Sequence, residues 1–70
     1  MRRAEKIFGQ NLAKLRNQAE LTQEVLAEKA GISLRYVQFL EAGKKLASIQ
    51  TARQIKHALN CSWNELFRNF

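Results

Sequence analysis

A chain of 70 residues is one domain at most, and folding at this size buries only about 60% of the surface that the unfolded chain exposes. Hydrophobic residues make up 46%, proline is absent and there are three glycines, which suits a compact helical protein and excludes a disordered tail or a β-sandwich. Twelve Lys and Arg against six Glu give a net charge of +6, enough to attract a polyanion, while one cysteine and one histidine exclude an internal disulfide and a zinc ligand set.

The opening MRRAEKIFGQ lacks the continuous apolar stretch of a signal peptide. No segment approaches the roughly 20 apolar residues of a membrane span. A soluble, cytoplasmic protein is expected. No repeat, linker or low-complexity tract divides the chain, so residues 1–70 read as a single unit of five short helices.

In the first helix Phe8, Leu12, Leu15 and Ala19 recur at spacings of four, three and four, which places them on one face directed at the core. The second helix follows Thr22, an N-cap whose hydroxyl can accept from an otherwise unpaired amide, and Glu24 suits the positive end of its dipole. Gly31 ends it, as the residue best able to take the left-handed conformation. Ser33 caps a third helix whose Val37 and Leu40 point inward and which ends near Gly43, followed by the loop KKLA. Ser48 caps a fourth, carrying Ile49, Ala52, Ile55 and Leu59 on its inner face, with Asn60 as terminator. SWNE opens the fifth as a capping box of Ser62 and Glu65, followed by Leu66 and Phe67. Helices this short do not persist alone in water, so each depends on the apolar faces of the others.

Two of these helices, joined by a three-residue turn containing Gly31, form the arrangement in which the second helix enters a DNA major groove. Leu26, Ala30, Ile32, Val37 and Leu40 supply apolar contacts, and Ala27 is small where the crossing helices must approach closely. Residues 34 and 38, and 35 and 39, are i,i+4 pairs on the side away from Val37 and Leu40.

With FGQNLAKLR, LTQEVLAEKAGIS, RYVQFLEAGK and ALNCSWNELF in order, the chain resembles the Cro/C1-type helix-turn-helix domains of phage repressors, Cro proteins and restriction-modification controller proteins. The resemblance runs from about Phe8 to Phe67. It implies an all-α, lambda-repressor-like five-helix fold, double-stranded DNA as partner, a homodimer on a near-palindromic operator, and no cofactor. Leu34, Arg35, Gln38 and Phe39 match positions that face base edges. Gln23, Ser33, Tyr36, Lys44 and Lys45 match positions that reach phosphates, and Arg16 with Glu41 matches an ion pair tying the first helix to the end of the third. Ala42 stands where the family often has a polar side chain, so one anchoring bond is expected to be absent. Glu20 falls where the family commonly has Gly.

Arg35 is the leading reader, because a guanidinium can bond O6 and N7 of one guanine together; a phosphate contact is its alternative. Gln38 can bond an adenine edge or face water. Leu34 and Phe39 can meet thymine methyls, although Phe39 is equally suited to a subunit interface or to folding back on the core. Cys61 reads as a small buried hydrophobe and His57 as a surface residue. Trp63, Phe67 and Phe70 make the chain's end apolar enough for an interface with a second copy, with packing inside one chain as the competing use of Trp63.

A transcriptional regulator, repressing or activating, is therefore the expected function. An antitoxin-like interaction module with secondary DNA binding is the alternative. The sequence offers no paired carboxylates, no nucleophile with its base and no phosphate-binding glycine loop, which argues against an enzyme.

Overall fold

The end signals written into the chain set the helices. In the computed structural model, which describes residues 3–70, these are α1 (Arg3–Gln18), α2 (Gln23–Ala30), α3 (Leu34–Glu41), α4 (Ile49–Leu59) and α5 (Trp63–Leu66). Hydroxyl side chains open four of them: Thr22, Ser33, Ser48 and Ser62 accept from the backbone N–H of Val25, Tyr36, Thr51 and Glu65 at 3.0–3.2 Å. Each bond satisfies one of the amides that a helix start leaves without an internal partner.

Four helices also end alike. Glu20, Gly31, Gly43 and Asn60 all have left-handed backbones, with φ between 52° and 75°. At Gly31 the bonds run from its own N–H to the Glu28 carbonyl and from the Ile32 N–H to the Ala27 carbonyl, the paired pattern that closes a helix and turns the chain aside. The same pair recurs after α1, α3 and α4. At two of these ends glycine takes the left-handed turn without a steric cost, whereas Glu20, at φ 60°, carries one.

The core consists of Phe8, Leu12, Leu26, Ala27, Ala30, Val37, Leu40, Ala52, Ile55 and Leu66. α1 packs on α3 and α5, while α2 packs on α3 and α4, so α3 is wedged between the first two helices. Two positions expected on inner faces lie outside. Ile49 is 77% exposed because it is the first residue of α4, roughly 60° around the helix from Ala52 and beyond the edge of the core. Ala19 is exposed because α1 has already ended at Gln18 and the chain there enters the turn through Glu20.

One contact governs how closely α1 and α3 approach. Gly9 is buried in the middle of α1, and a Cβ built there would collide with the Leu40 carbonyl oxygen and lie 2.9 Å from that of Glu41. Backbone cannot swing aside as a side-chain tip can. Two residues further along α1, Asn11 Nδ2 donates to the carbonyls of Leu66 (2.9 Å) and Arg68 (2.8 Å), fastening α5 and the residues after it.

The capping box of α5 has an electrostatic signature. The Ser62 backbone N–H donates to Glu65 Oε1 at 2.9 Å, and this bond, with that of the Ser62 hydroxyl behind it, holds the Glu65 carboxyl below the usual glutamate range. A folded-state value depressed in this way stabilises the fold above the unfolded pKa, and the contribution is lost as pH falls through the folded value.

Gly9→Ala tests the approach of α1 to α3, because propensity and packing have opposite signs there. Alanine is the better helix former by up to about 1 kcal/mol, yet the variant is expected to lose about 1–3 kcal/mol in a urea titration, as overpacking predicts. Glu20→Gly should instead gain about 1 kcal/mol by relieving the left-handed strain. An NMR acid titration should find the Glu65 carboxyl ionising below the usual glutamate range, and Ser62→Ala, which removes the hydroxyl but keeps the backbone N–H, should raise it only part of the way back.

Candidate nucleic-acid interface

Residues 31–33 join α2 to α3 and leave room for little besides the Gly31 turn and the Ser33 cap. The two helices therefore meet at close quarters, where Ala27 and Ala30 are each only 4% exposed. α3 is then oriented from behind by Val37 and Leu40, both fully buried. With about 100° between successive residues, Arg35 lies on the opposite side and Gln38 well round from the core, and both are exposed.

Leu34 and Tyr36 sit on the flanks instead. Each is half-buried and packed against the core. The i,i+4 pairing with Gln38 thus places Leu34 only at the border of the outer face, since it lies roughly 90° from the centre of the buried stripe. Phe39 is half-buried on the other border, with the Arg35 guanidinium 5.5 Å from the centre of its ring. A second cation over an aromatic ring links the following loop to this helix: Lys45 Nζ stands 5.6 Å from the centroid of Tyr36. Lys44 and Lys45 are both exposed. Ser33 Oγ accepts the Tyr36 N–H at 3.0 Å, and its hydroxyl proton is the group with which it can donate outward.

The far end of α3 is held by a shared carboxylate. Glu41 accepts Arg16 Nε at 2.7 Å, Arg16 Nη2 at 3.1 Å and Gln23 Nε2 at 3.0 Å, so one side chain joins α1, α2 and α3. Arg16 also donates to the Leu21 carbonyl at 2.8 Å, which ties in the turn before α2. The ion pair is mostly shielded, with 14% of the Arg16 side chain and 8% of the Glu41 side chain exposed. Its fork-like hydrogen bonding raises the Arg16 pKa further, so the guanidinium stays charged wherever the protein is folded. The Gln23 amide nitrogen has two protons, of which Glu41 takes one.

Away from this face, Phe67 is an inner member of an aromatic cluster rather than a bare surface residue. Its ring lies 5.5 Å from that of Phe8, 5.8 Å from that of Trp63 and 5.0 Å from that of Phe70. The outer rings are open to solvent, Trp63 at 41% and Phe70 at 58%. Lys56 Nζ approaches the Trp63 ring at 5.6 Å. Cys61 packs at the edge of the core, where burial first and Glu65 second raise its thiol pKa, and His57 is exposed. Asn11 and Gly9 were not singled out by their sequence context; their roles arise from tertiary contacts that a local pattern does not record.

Among the described residues no helix is long and apolar enough to cross a membrane, and no cluster of His, Cys, Asp or Glu is set to hold a metal ion.

These features define a DNA-binding regulator of the helix-turn-helix class, and the helix-turn-helix family model matches residues 12–66. The chain belongs to that Cro/C1-type family. It is similar to the HTH-type transcriptional regulator y4dJ of Sinorhizobium fredii, 36% identical over 61 residues, which cover 87% of this chain and 79% of the relative. A second regulator of that organism, y4mF, is 42% identical over 48 residues, covering 69% of this chain and 63% of its own. Among solved structures, the restriction-modification controller protein C.AhdI from Aeromonas hydrophila superposes with a TM-score of 0.86 at 35% identity, covering 90% of this chain and 96% of that one. The clp gene regulator ClgR from C. glutamicum gives 0.87 at 28%, covering 91% and 82%. The two Sinorhizobium relatives are HTH-type transcriptional regulators, and this chain, by its family, is a DNA-binding regulator of that kind rather than an enzyme.

Because Glu41 serves three helices, removing one partner leaves a shielded charge unpaired. Arg16→Met is expected to lose about 3–5 kcal/mol in chemical denaturation. Arg16→Met combined with Glu41→Leu should lose clearly less than the sum of the two single changes, and simple additivity would show that the pair does not act as a unit.

Proposed function

We propose that the protein is a sequence-specific regulator of transcription that binds double-stranded DNA as a homodimer, with α3 of each copy in the major groove of a near-palindromic operator. The observation that carries this reading is the division of α3 into a fully buried rear, Val37 and Leu40, and an exposed front bearing Arg35 and Gln38. Lys44 and Lys45 stand in the loop that follows, and the whole chain has a net charge of +6. A rigid, core-anchored helix with a solvated polar front is what groove reading requires, and two copies would place their reading helices roughly 34–36 Å apart.

Within this proposal the contacts divide by chemistry. Gln23, Ser33, Tyr36, Lys44 and Lys45 bond phosphates and fix the register, while Arg35 and Gln38 meet base edges. Leu34 and Phe39, at the two borders of the face, contribute apolar contact with thymine methyls. Gln23 suits its task because the carboxylate of Glu41 holds its amide in place and leaves one proton free. Trp63 and Phe70 supply the surface for the second copy, supported from beneath by Phe67. Such a protein acts in the cytoplasm, repressing by occupying a promoter or activating by touching the polymerase beside it.

Selection on randomised duplexes tests the proposal directly, and recovery of no enriched sequence would end it. Against the selected operator, Arg35→Ala should cost about 1–3 kcal/mol and relax preference at one base position per half-site. Lys45→Ala should weaken binding to all sequences alike and reduce the slope of log affinity against log salt by about one per contact. Sedimentation with and without operator measures the second copy's presence; Trp63→Ala should shift it towards monomer.

A further inference from the structure

The outer face of α3 carries a residue whose burial the core does not explain. Phe39 is half-buried, yet it is not among the partly buried side chains packed against the core. Its described neighbour is the Arg35 guanidinium one turn earlier, 5.5 Å from the ring centre and within the range of a cation–π contact. The chain thus places a large aromatic ring beside the one arginine of its reading helix.

Guanidinium chemistry gives this contact a consequence. The group is flat, with its hydrogen-bond donors around the edge and none on the faces. A ring that engages a face leaves the edge free, and the edge is what bonds guanine O6 and N7 together. An arginine held against a ring also samples fewer conformations before binding, so less ordering remains to be done when the guanine is met. A leucine or alanine at 39 would leave the long side chain to wander or to fall upon the nearest phosphate.

We propose that Phe39 is a positioning residue for Arg35: its ring presets the guanidinium for guanine, so that specificity at one base position is set jointly by the two side chains. The inference rests on the base-reading role proposed above for Arg35, and it adds a determinant that itself need not touch DNA. Lys45 over Tyr36 is the counterpart without such a consequence, since an ammonium is a point charge with no flat face and edge to separate.

The test is the guanine-over-adenine preference at the Arg35-dependent position of the selected operator, measured by anisotropy for the wild type, Phe39→Tyr, Phe39→Leu and Phe39→Ala. Circular dichroism melts check that each variant folds. Phe39→Tyr keeps the ring and should keep the preference. Phe39→Leu and Phe39→Ala should lose about two- to fivefold of it, the worth of an exposed cation–π contact, with preferences at other positions and the salt slope unchanged. In an Arg35→Ala background the same changes at 39 should have no further effect on that position. Full guanine preference in Phe39→Leu, or effects that simply add in the double variant, would overturn the inference while leaving DNA binding intact. Failure of the wild type to bind any duplex would instead remove the proposed function, and this inference with it.

Discussion

The contact of α1 with the end of α3 is the constraint from which the rest of the molecule takes its geometry. Gly9 brings the backbone of one helix against the carbonyls of Leu40 and Glu41 on the other. Arg16, seven residues and about two turns further along the same face of α1, then reaches the Glu41 carboxylate. Steric closeness at one point and charge pairing at the next fix both separation and rotation. α2 joins through Gln23, so three helices are referred to one side chain. Neither interaction is available to an isolated helix, which is why elements of eight residues hold their shape here.

Repetition of one ending accounts for the economy of the turns. Each of the first four helices closes through a left-handed residue that redirects the chain, and a hydroxyl a short distance on opens the next. Between α2 and α3 both devices fit into three residues. That brevity is what leaves α3 no freedom to rotate its polar front towards the core. After α1 the same device is built with Glu20, and the strain there is carried by the surrounding contacts, including the Arg16 bond to Leu21.

Much of this was legible in the sequence because it is local. Caps at Thr22, Ser33, Ser48 and Ser62, terminators at Gly31 and Asn60, and the inward pair Val37 and Leu40 each follow from a few neighbouring residues. Where reading failed, the cause lay in distance along the chain or in a face only coarsely resolved. Gly9 looks like an unfavourable residue in a helix until α3 is laid across it, and Asn11 looks like surface until α5 arrives 55 residues later. Spacing places Ile49 on an inner face, whereas its position as the first residue of α4 leaves it exposed. Phe67 shares the hydrophobicity of Trp63 and Phe70 and touches both rings, and only the fold shows that it also meets Phe8 on the core side. The pairing of Arg35 with Phe39 was visible as a spacing, not as a contact.

The split character of α3 has an evolutionary corollary. Its rear and its far end are committed to the fold by Val37, Leu40 and Glu41, so mutation there is answerable to stability. Arg35 and Gln38 project into solvent and owe the fold almost nothing. Drift at those front positions therefore costs the fold little, and under the base-reading role proposed for them it would change the address while the scaffold stays intact.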